Sequence, residues 1–467
     1  MRNKKLILIE FNELCPHLLQ RWMSEGRLPN FRKFYQDAQV FTTEADVTDS
    51  RYLEPWIQWY SLHTGLSHDQ HGVFHLTDGP RAGHPDIWEM LAERGMTVGN
   101  FSSMNAGRLS SPGAFYVPDP WCTSERAFPD ELDTYHKVVA NRVQEYTNSD
   151  KGIGFRDYLS FARFLALHGV RGRTVSSVIR QLISERLGGD IAWRRAAVLD
   201  ELQFDVFRFF HRRSRPDFAT FFSNSTAHYQ HTYWRHMDPA VFKVRPPESE
   251  LTAYKDAILF GYQRMDRLLG DFFEFERQGV ALALATALSQ RPFLKYEDAG
   301  GQLFYRARDI EGFLERLDVR YEKIFPVMTH QYMLHFANDR SRDEALKVLD
   351  SVTYGGKCAF ECRAEPKAIY FGCQIRELVP EKAKLGVGSF SGEEFGFYDV
   401  FYRISGMKSG CHHPDGVFWF KTGSHEVHDD KVSILDVVPT LLSYFDIVDG
   451  PGDGQPRKGR NLLQRFH

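Results

Sequence analysis

Cysteine is scarce in this chain: six in 467 residues, scattered from Cys15 to Cys411. A disulfide framework belongs to short, cysteine-dense chains, so reduced thiols are expected. Cys358 and Cys362 have the spacing of half a zinc site, but no second cysteine pair or matching histidine pair follows, which points to isolated thiols. Long apolar runs are missing as well. The stretch Leu6 to Ile9 is cut by Glu10, too short for a signal-peptide core, and no segment nears the roughly 18 apolar residues of a membrane span. A cytoplasmic location is the expectation. Charge of one sign is also lacking: 58 basic against 61 acidic residues give a net charge of −3, and no basic run is long enough to track a phosphate backbone. A nucleic-acid partner is therefore not expected.

What the chain has is the balance of a soluble globular protein, 42% hydrophobic and 25% charged, without repeats or low-complexity tracts. Its first hundred residues alternate at βαβ spacing. Leu6 to Phe11 reads as a buried strand, Pro16 opens a helix, residues 54 to 64 and 85 to 95 read as helices, and Met96 to Ser103 returns as a strand. Residues 125 to 215 turn helical and Arg-rich, like a cap or insertion. The pattern then resumes with a strand at Asp217 to Phe222, a long amphipathic helix over 251 to 277 and a strand at Val280 to Thr286. A second stretch, 291 to 395, looks irregular apart from a strand at Ala368 to Ile375. Gly416 to Phe420 forms a further strand and Ser433 to Phe445 a closing helix. The alternation predicts one α/β domain over 1 to 467, a doubly wound, mostly parallel sheet between helices carrying both insertions.

In such a sheet, ligands bind beyond the carboxyl ends of the strands, so polar residues just after apolar runs are the first site candidates. They are Glu10, Asn12 and Glu13 after the first strand, Ser223 to His231 after the Asp217 strand, Thr286, Ser289 and Gln290 after the Val280 strand, His412 and His413 before the Gly416 strand, and Glu54 at a helix start. His228 and His231, three residues apart, can face one metal if they share a helical turn, and His412 can join them if the fold brings the segments together. Asn105 follows a strand and either lines the pocket or fixes a turn. His63, His68 and His71 read as structural hydrogen-bonders, and Trp56, Trp59 and Trp234 as core aromatics.

Several segments resemble the alkaline phosphatase superfamily, in particular its type I phosphodiesterase and nucleotide pyrophosphatase branch. LILIEFNELCPHLLQRWMSEGRLPNF, from Leu6 to Phe31, is similar to the branch's opening strand and helix; QWYSLHTGLSHDQHGVF, from Gln58 to Phe74, to its Thr-Gly-Leu and His-Gly stretch. His231-Thr232-Tyr233-Trp234 resembles its His-x-x-Trp segment, His412-His413-Pro414-Asp415-Gly416 its His-x-Pro-x-Gly segment, and SILDVVPTLLSYFDI with the later GRNLL its closing helix and tail. The matches keep their order along nearly the whole chain and leave only the two insertions uncovered.

The resemblance implies two divalent cations, usually zinc, that activate a Ser or Thr nucleophile for phosphoryl displacement. Carried over residue by residue, much of that machinery is replaced. The first-strand Asp falls on Asn12, the nucleophile on Pro55 beside Glu54, a ligand Asp on Ala227, and the Asp-His pair within Ala287-Leu288-Ser289-Gln290; only His231 and His412 fall on ligand positions. The expectation is one zinc or other divalent metal held by His228, His231 and His412, not the two-metal arrangement. Glu54 and Glu10 are then the acid-base candidates, and Asn12, Asn105, Ser289 and Gln290 line a small-molecule site. Two further readings stay open: a non-catalytic relative that binds a ligand in the same pocket, and a chain whose histidines serve only the core.

Overall fold

A computed structural model describes residues 4–107, 113–122, 125–145, 154–188, 191–327, 330–388, 395–404, 406–448 and 456–465. Its centre is an eight-stranded sheet in the spatial order Glu426–Ser433, Ala38–Glu44, Asp415–Lys421, Ala281–Thr286, Leu6–Phe11, Phe218–Ser223, Val98–Phe101, Phe115–Val117. Five neighbours from Ala281–Thr286 to Phe115–Val117 run parallel, as do the first two strands, and Asp415–Lys421 runs antiparallel between the two blocks. This is the expected mostly parallel α/β sheet.

Strand Leu6–Phe11 explains the layering. All six residues are buried, and their alternation sends Ile7, Ile9 and Phe11 into one apolar layer, with the Ala257–Glu276 helix, and Leu6 and Leu8 into the other, with the helices Pro55–Thr64 and Val437–Tyr444. The same period places Glu10 on the second face, away from Phe11. Residues within the helix expected over 251–277 divide into Glu248–Tyr254 and Ala257–Glu276, with Asp256 as the N-cap of the second. The closing helix opens with a 3₁₀ turn, Ile434–Asp436, before Val437–Tyr444.

Residues 291 to 395 depart most from expectation. They are not irregular: Phe360–Glu365, Ala368–Cys373, Gln331–His335 and Lys323–Pro326 form an antiparallel sheet. Tyr305, Leu314, Phe360 and Phe371 belong to a separate apolar core around it. Ala368–Cys373, buried with an apolar run, is the strand that the sequence marks, whereas Phe360–Glu365 and Gln331–His335 are short and part exposed and show no such run. Between 125 and 215 the structure holds the helices Asp133–Glu145, Phe155–Leu167, Gly172–Arg186 and Arg195–Ser214, the last giving Phe204 and Phe207 to the main core. Among the described residues no helix is long and apolar enough to cross a membrane.

One buried carboxyl in this frame carries a pH signature. Asp86 caps helix Ile87–Ala92 by accepting from the Glu89 N–H at 3.0 Å. Burial, and then the neighbouring Glu89 charge, push its pKa up to about 8 against the opposing backbone hydrogen bonds. A raised folded-state pKa means that folding takes up a proton. The contribution is complete below the unfolded value near 3.8 and is lost as pH rises through about 8. Asp86→Asn keeps a good cap and removes the titration, so the stability lost between pH 6 and 8 should shrink by up to about 1.4 kcal/mol per pH unit. Urea unfolding at the two pH values measures this; an unchanged slope would show that Asp86 is already ionised at pH 6.

Candidate metal centre

Beyond Leu6–Phe11 the chain turns at Glu13, whose φ of 61° is left-handed. Its N–H is held by Thr286 Oγ1 at 2.9 Å and its carbonyl by Gln230 Nε2 at 2.7 Å. This turn re-aims the Glu13 side chain, 1% exposed, into a cleft between helix Ser225–Met237 and the two-stranded ribbon Gly410–His413 with Ser289–Pro292. There it meets two imidazoles. His231 Nε2 lies 3.4 Å from Glu13 Oε2 and His412 Nε2 lies 3.7 Å from Oε1. One ligand atom from each of the three lies within 4.8 Å of the others, the only such cluster among the described residues.

Second contacts fix which ring nitrogens face the cluster. His231 Nδ1 is 3.3 Å from the Gly410 carbonyl, which can only accept, so Nδ1 carries a proton and Nε2 is the ring atom turned to the cluster. His412 bonds to the backbone of Leu53, its Nδ1 lies 3.4 Å from Glu54 Oε2, and its Nε2 is buried without a hydrogen-bond partner. Burial, opposed by the Glu13 charge, brings the His412 pKa down to about 4, so the ring is neutral at pH 7. For Glu13, burial works against ionisation, but its interactions with the neighbouring His231 and His412 rings and the hydrogen bond from Gln290 outweigh it and hold the carboxyl below its ordinary value. One carboxylate and two imidazoles, the His412 nitrogen being an orphan acceptor, are a donor set that fits a divalent cation such as zinc.

Amides surround the carboxylate. Asn12 Nδ2 donates to Glu13 Oε1 at 3.1 Å and to Asn224 Oδ1 at 2.8 Å, and Trp59 Nε1 donates to Asn12 Oδ1 at 2.7 Å. Gln290 Nε2 donates to Glu13 Oε2 and to the Ala227 carbonyl. Glu54 sits as N-cap of helix Pro55–Thr64, which Pro55 opens. Its side chain is 29% exposed, yet burial, aided by Glu13 and opposed by Lys408, pushes its pKa up to about 8.

Other predicted residues go elsewhere. Glu10 forms a buried pair with His63 at 2.8 Å on the opposite face of the first strand, flanked by Trp59 and Trp88 against the His63 ring, and does not enter the cluster. His228 lies one turn before His231 on the same helix but outside the cluster; burial and then the His231 charge lower its pKa to about 4. Asn105 holds a turn at φ 59°, donating to the Trp56 and His75 carbonyls and accepting from the Gly79 N–H. Ser289 is buried and pairs with His413, one residue out of phase with the Gln290–His412 pair, so it points to the ribbon's other face. Glu13, a candidate after the first strand to which the sequence assigns no role, is the third member of the cluster. Its signal was present: a second carboxylate immediately after Asn12, where the resemblance requires an acidic ligand.

Gly410 lets the two halves of the centre approach. A Cβ there would lie 2.2 Å from Gln290 Oε1 and 2.6 Å from the Gln230 carbonyl. Gly410→Ala should cost about 1–3 kcal/mol through overpacking and should weaken zinc binding, because it separates the His412 strand from the His231 helix. Calorimetric titration with zinc checks the second effect; unaltered affinity would show that the separation does not matter.

No family model and no curated protein matches the sequence. Comparison with solved structures finds similarity to phosphonoacetate hydrolase of Sinorhizobium meliloti, 13% identical over 93% of this chain and 94% of that one, TM-score 0.44. Wild-type alkaline phosphatase PafA is 14% identical over 99% of each chain, with a TM-score of 0.45. Human ectonucleotide pyrophosphatase/phosphodiesterase 5 is 10% identical over 99% of each chain, with a TM-score of 0.43. Overlaps of this size assign no residue its role. The chemistry is decided by the side chains described above.

Proposed function

We propose that this chain is a divergent hydrolase or group transferase of the alkaline phosphatase superfamily, acting on a phosphorylated, sulfated or glycosyl small molecule at a single-metal centre formed by Glu13, His231 and His412. The observation that carries the reading is the convergence of these three side chains from the start, middle and end of the chain, with the His412 acceptor buried and unpartnered. A divalent cation held there supplies Lewis-acid stabilisation of charge on a substrate oxygen.

The chain's own groups do the rest. Glu54 retains its proton at neutral pH and lies beside His412, so it can donate that proton to a leaving oxygen. Pro55 provides no side-chain nucleophile, which leaves attack to water or to an acceptor hydroxyl. Asn12 and Gln290 orient Glu13 by donating to its two oxygens.

Chromogenic phosphate, sulfate and glycoside esters, assayed with added zinc, test the proposal. His231→Ala should abolish zinc-dependent turnover, and Glu54→Gln should lower it by about 10²-fold or more. Turnover that survives His231→Ala would sink the site assignment. A second reading, a relative that binds ligand without converting it, is favoured by the absence of a nucleophile at Pro55; tight zinc binding with no turnover on any ester class would select it.

A further inference from the structure

We propose that the helical segment 155–188 is a docking surface for an anionic lipid membrane. Helix Gly172–Arg186 has its apolar side outward. Val175, Ile179, Leu182, Ile183 and Leu187, spaced 0, 4, 7, 8 and 12 residues along, form one stripe, and each is between 43% and 82% exposed. The side turned to the protein is the polar one: Thr174 is buried and Gln181 half-buried. The preceding helix, Phe155–Leu167, packs Phe161, Phe164 and Leu165 inward in the ordinary way, yet also leaves Phe155, Leu159 and Leu167 outward at 82%, 62% and 61% exposed. A helix that turns its mainly polar side inward, beside a second that leaves large apolar side chains outward, runs against the pattern of helices lying on a soluble core.

Charge selects the partner. Residues 155 to 188 contain six arginines and two acidic residues. Both acids are engaged, Asp157 with Lys137 and Glu185 with Arg195, whereas Arg171 and Arg173 are paired to Asp205 and Asp271. Arg156, Arg163, Arg180 and Arg186 remain exposed beside the apolar stripes. At 100° per residue Arg180 borders the outward stripe of its helix and Arg186 falls within it. An apolar stripe edged by arginine suits the boundary between headgroups and acyl chains, where the guanidinium reaches phosphate and the side chains beside it enter the hydrocarbon. Packing against a second copy would instead bury Arg186 against like charge.

Sedimentation of the full chain with vesicles tests this. At about 0.15 M salt the protein should sediment with phosphatidylcholine vesicles containing phosphatidylglycerol and stay in solution with phosphatidylcholine alone. The exposed pair change Leu182→Glu/Ile183→Glu, which leaves the core untouched, should abolish the association while circular dichroism and melting stay unchanged. Arg180→Gln/Arg186→Gln should weaken it about 25-fold, roughly fivefold for each arginine. The proposal is overturned if the protein binds neither vesicle, binds both equally, or forms a dimer by light scattering that Leu182→Glu/Ile183→Glu dissociates. Esterase activity on soluble substrates should be the same in these variants, so a failure here is separable from a failure of the metal centre.

Discussion

Replacing His412 by Ala should leave the protein unable to retain zinc, where the wild-type chain should retain one ion. His412 contributes an acceptor that no described residue satisfies, placed opposite Glu13 and 5.2 Å ring to ring from His231. Its removal leaves one imidazole and one carboxylate, too few for tight binding. The loss should exceed about 100-fold, more than is typical when a residue that merely supports a ligand is changed. It is read by metal analysis after gel filtration and by melting. Zinc at about 100 times Kd should stabilise the wild type by about 2.7 kcal/mol and the variant not at all. The pH profile adds a sign. Burial keeps His412 neutral down to about 4, and Glu13 sits below its ordinary carboxylate value, so neither must release a proton to bind metal at pH 6 to 8. Their contribution to zinc affinity should therefore be flat over that window. Equal zinc stoichiometry in wild type and His412→Ala would remove the residue from the centre.

The largest stability effect is expected one turn further along the same helix. Arg235 and Glu297 form a two-pronged pair at 3.0 and 2.6 Å with side chains only 4% and 6% exposed. Arg235 also donates to the Val244 carbonyl at 2.6 Å and lies 4.2 Å over the Phe242 ring. Its backbone N–H is taken by Ser409 Oγ, and the Ser409 N–H by the His231 carbonyl at 2.9 Å, so the helix carrying His231 and the segment leading to His412 are fastened here. For Glu297, burial opposes ionisation and the Arg235 bonds outweigh it, leaving the pKa lowered. Arg235→Ala strands that carboxylate, and the expected cost is about 3–5 kcal/mol, measurable by urea unfolding at pH 7. Lower pH should soften the loss, since the stranded acid can then take up a proton. Arg235→Ala should also weaken zinc binding, although residue 235 is no ligand. A cost under about 1 kcal/mol would mean that the pair is worth no more than a surface ion pair.

Much of this was legible from the residues. The strands at Leu6, Asp217 and Val280 announced themselves because both of their faces are buried, leaving continuous apolar runs between turn residues. The edge strand Glu426–Ser433, EVHDDKVS, has no such run: one side of its ladder is unpaired and most of its side chains face water. Within 291–395 the central strand Ala368–Cys373 is legible by its apolar run, whereas its neighbour Phe360–Glu365, an edge strand with most side chains in water, is not. His231 and His412 could be paired because ordered motifs placed both at strand ends of one sheet. Glu13 could not be separated from Glu10 by sequence, because their fates are set by the strand's two-residue period and by one left-handed turn. Glu10 follows Leu6 and Leu8 to the face where His63 waits, whereas the turn at Glu13 swings its carboxylate to the histidines. His228 was over-read: a spacing of three on a helix permits a shared ligand but does not aim both rings at the carboxylate that completes the set.

The resemblance also explains why one metal is expected where the superfamily uses two. Asn12 falls on the acidic position of that pattern and Gln290 within the stretch that replaces its Asp-His pair, and both donate to Glu13. Neutral donors around a single carboxylate stabilise one anion, and among the described residues no second ligand cluster stands beside it.

The most direct measurement is anomalous X-ray scattering at the zinc edge from crystals grown with zinc. One peak should lie about 2.0–2.2 Å from a Glu13 carboxylate oxygen, His231 Nε2 and His412 Nε2. Zinc found only at other residues, or no peak between these three in crystals soaked at saturating zinc, would contradict the account.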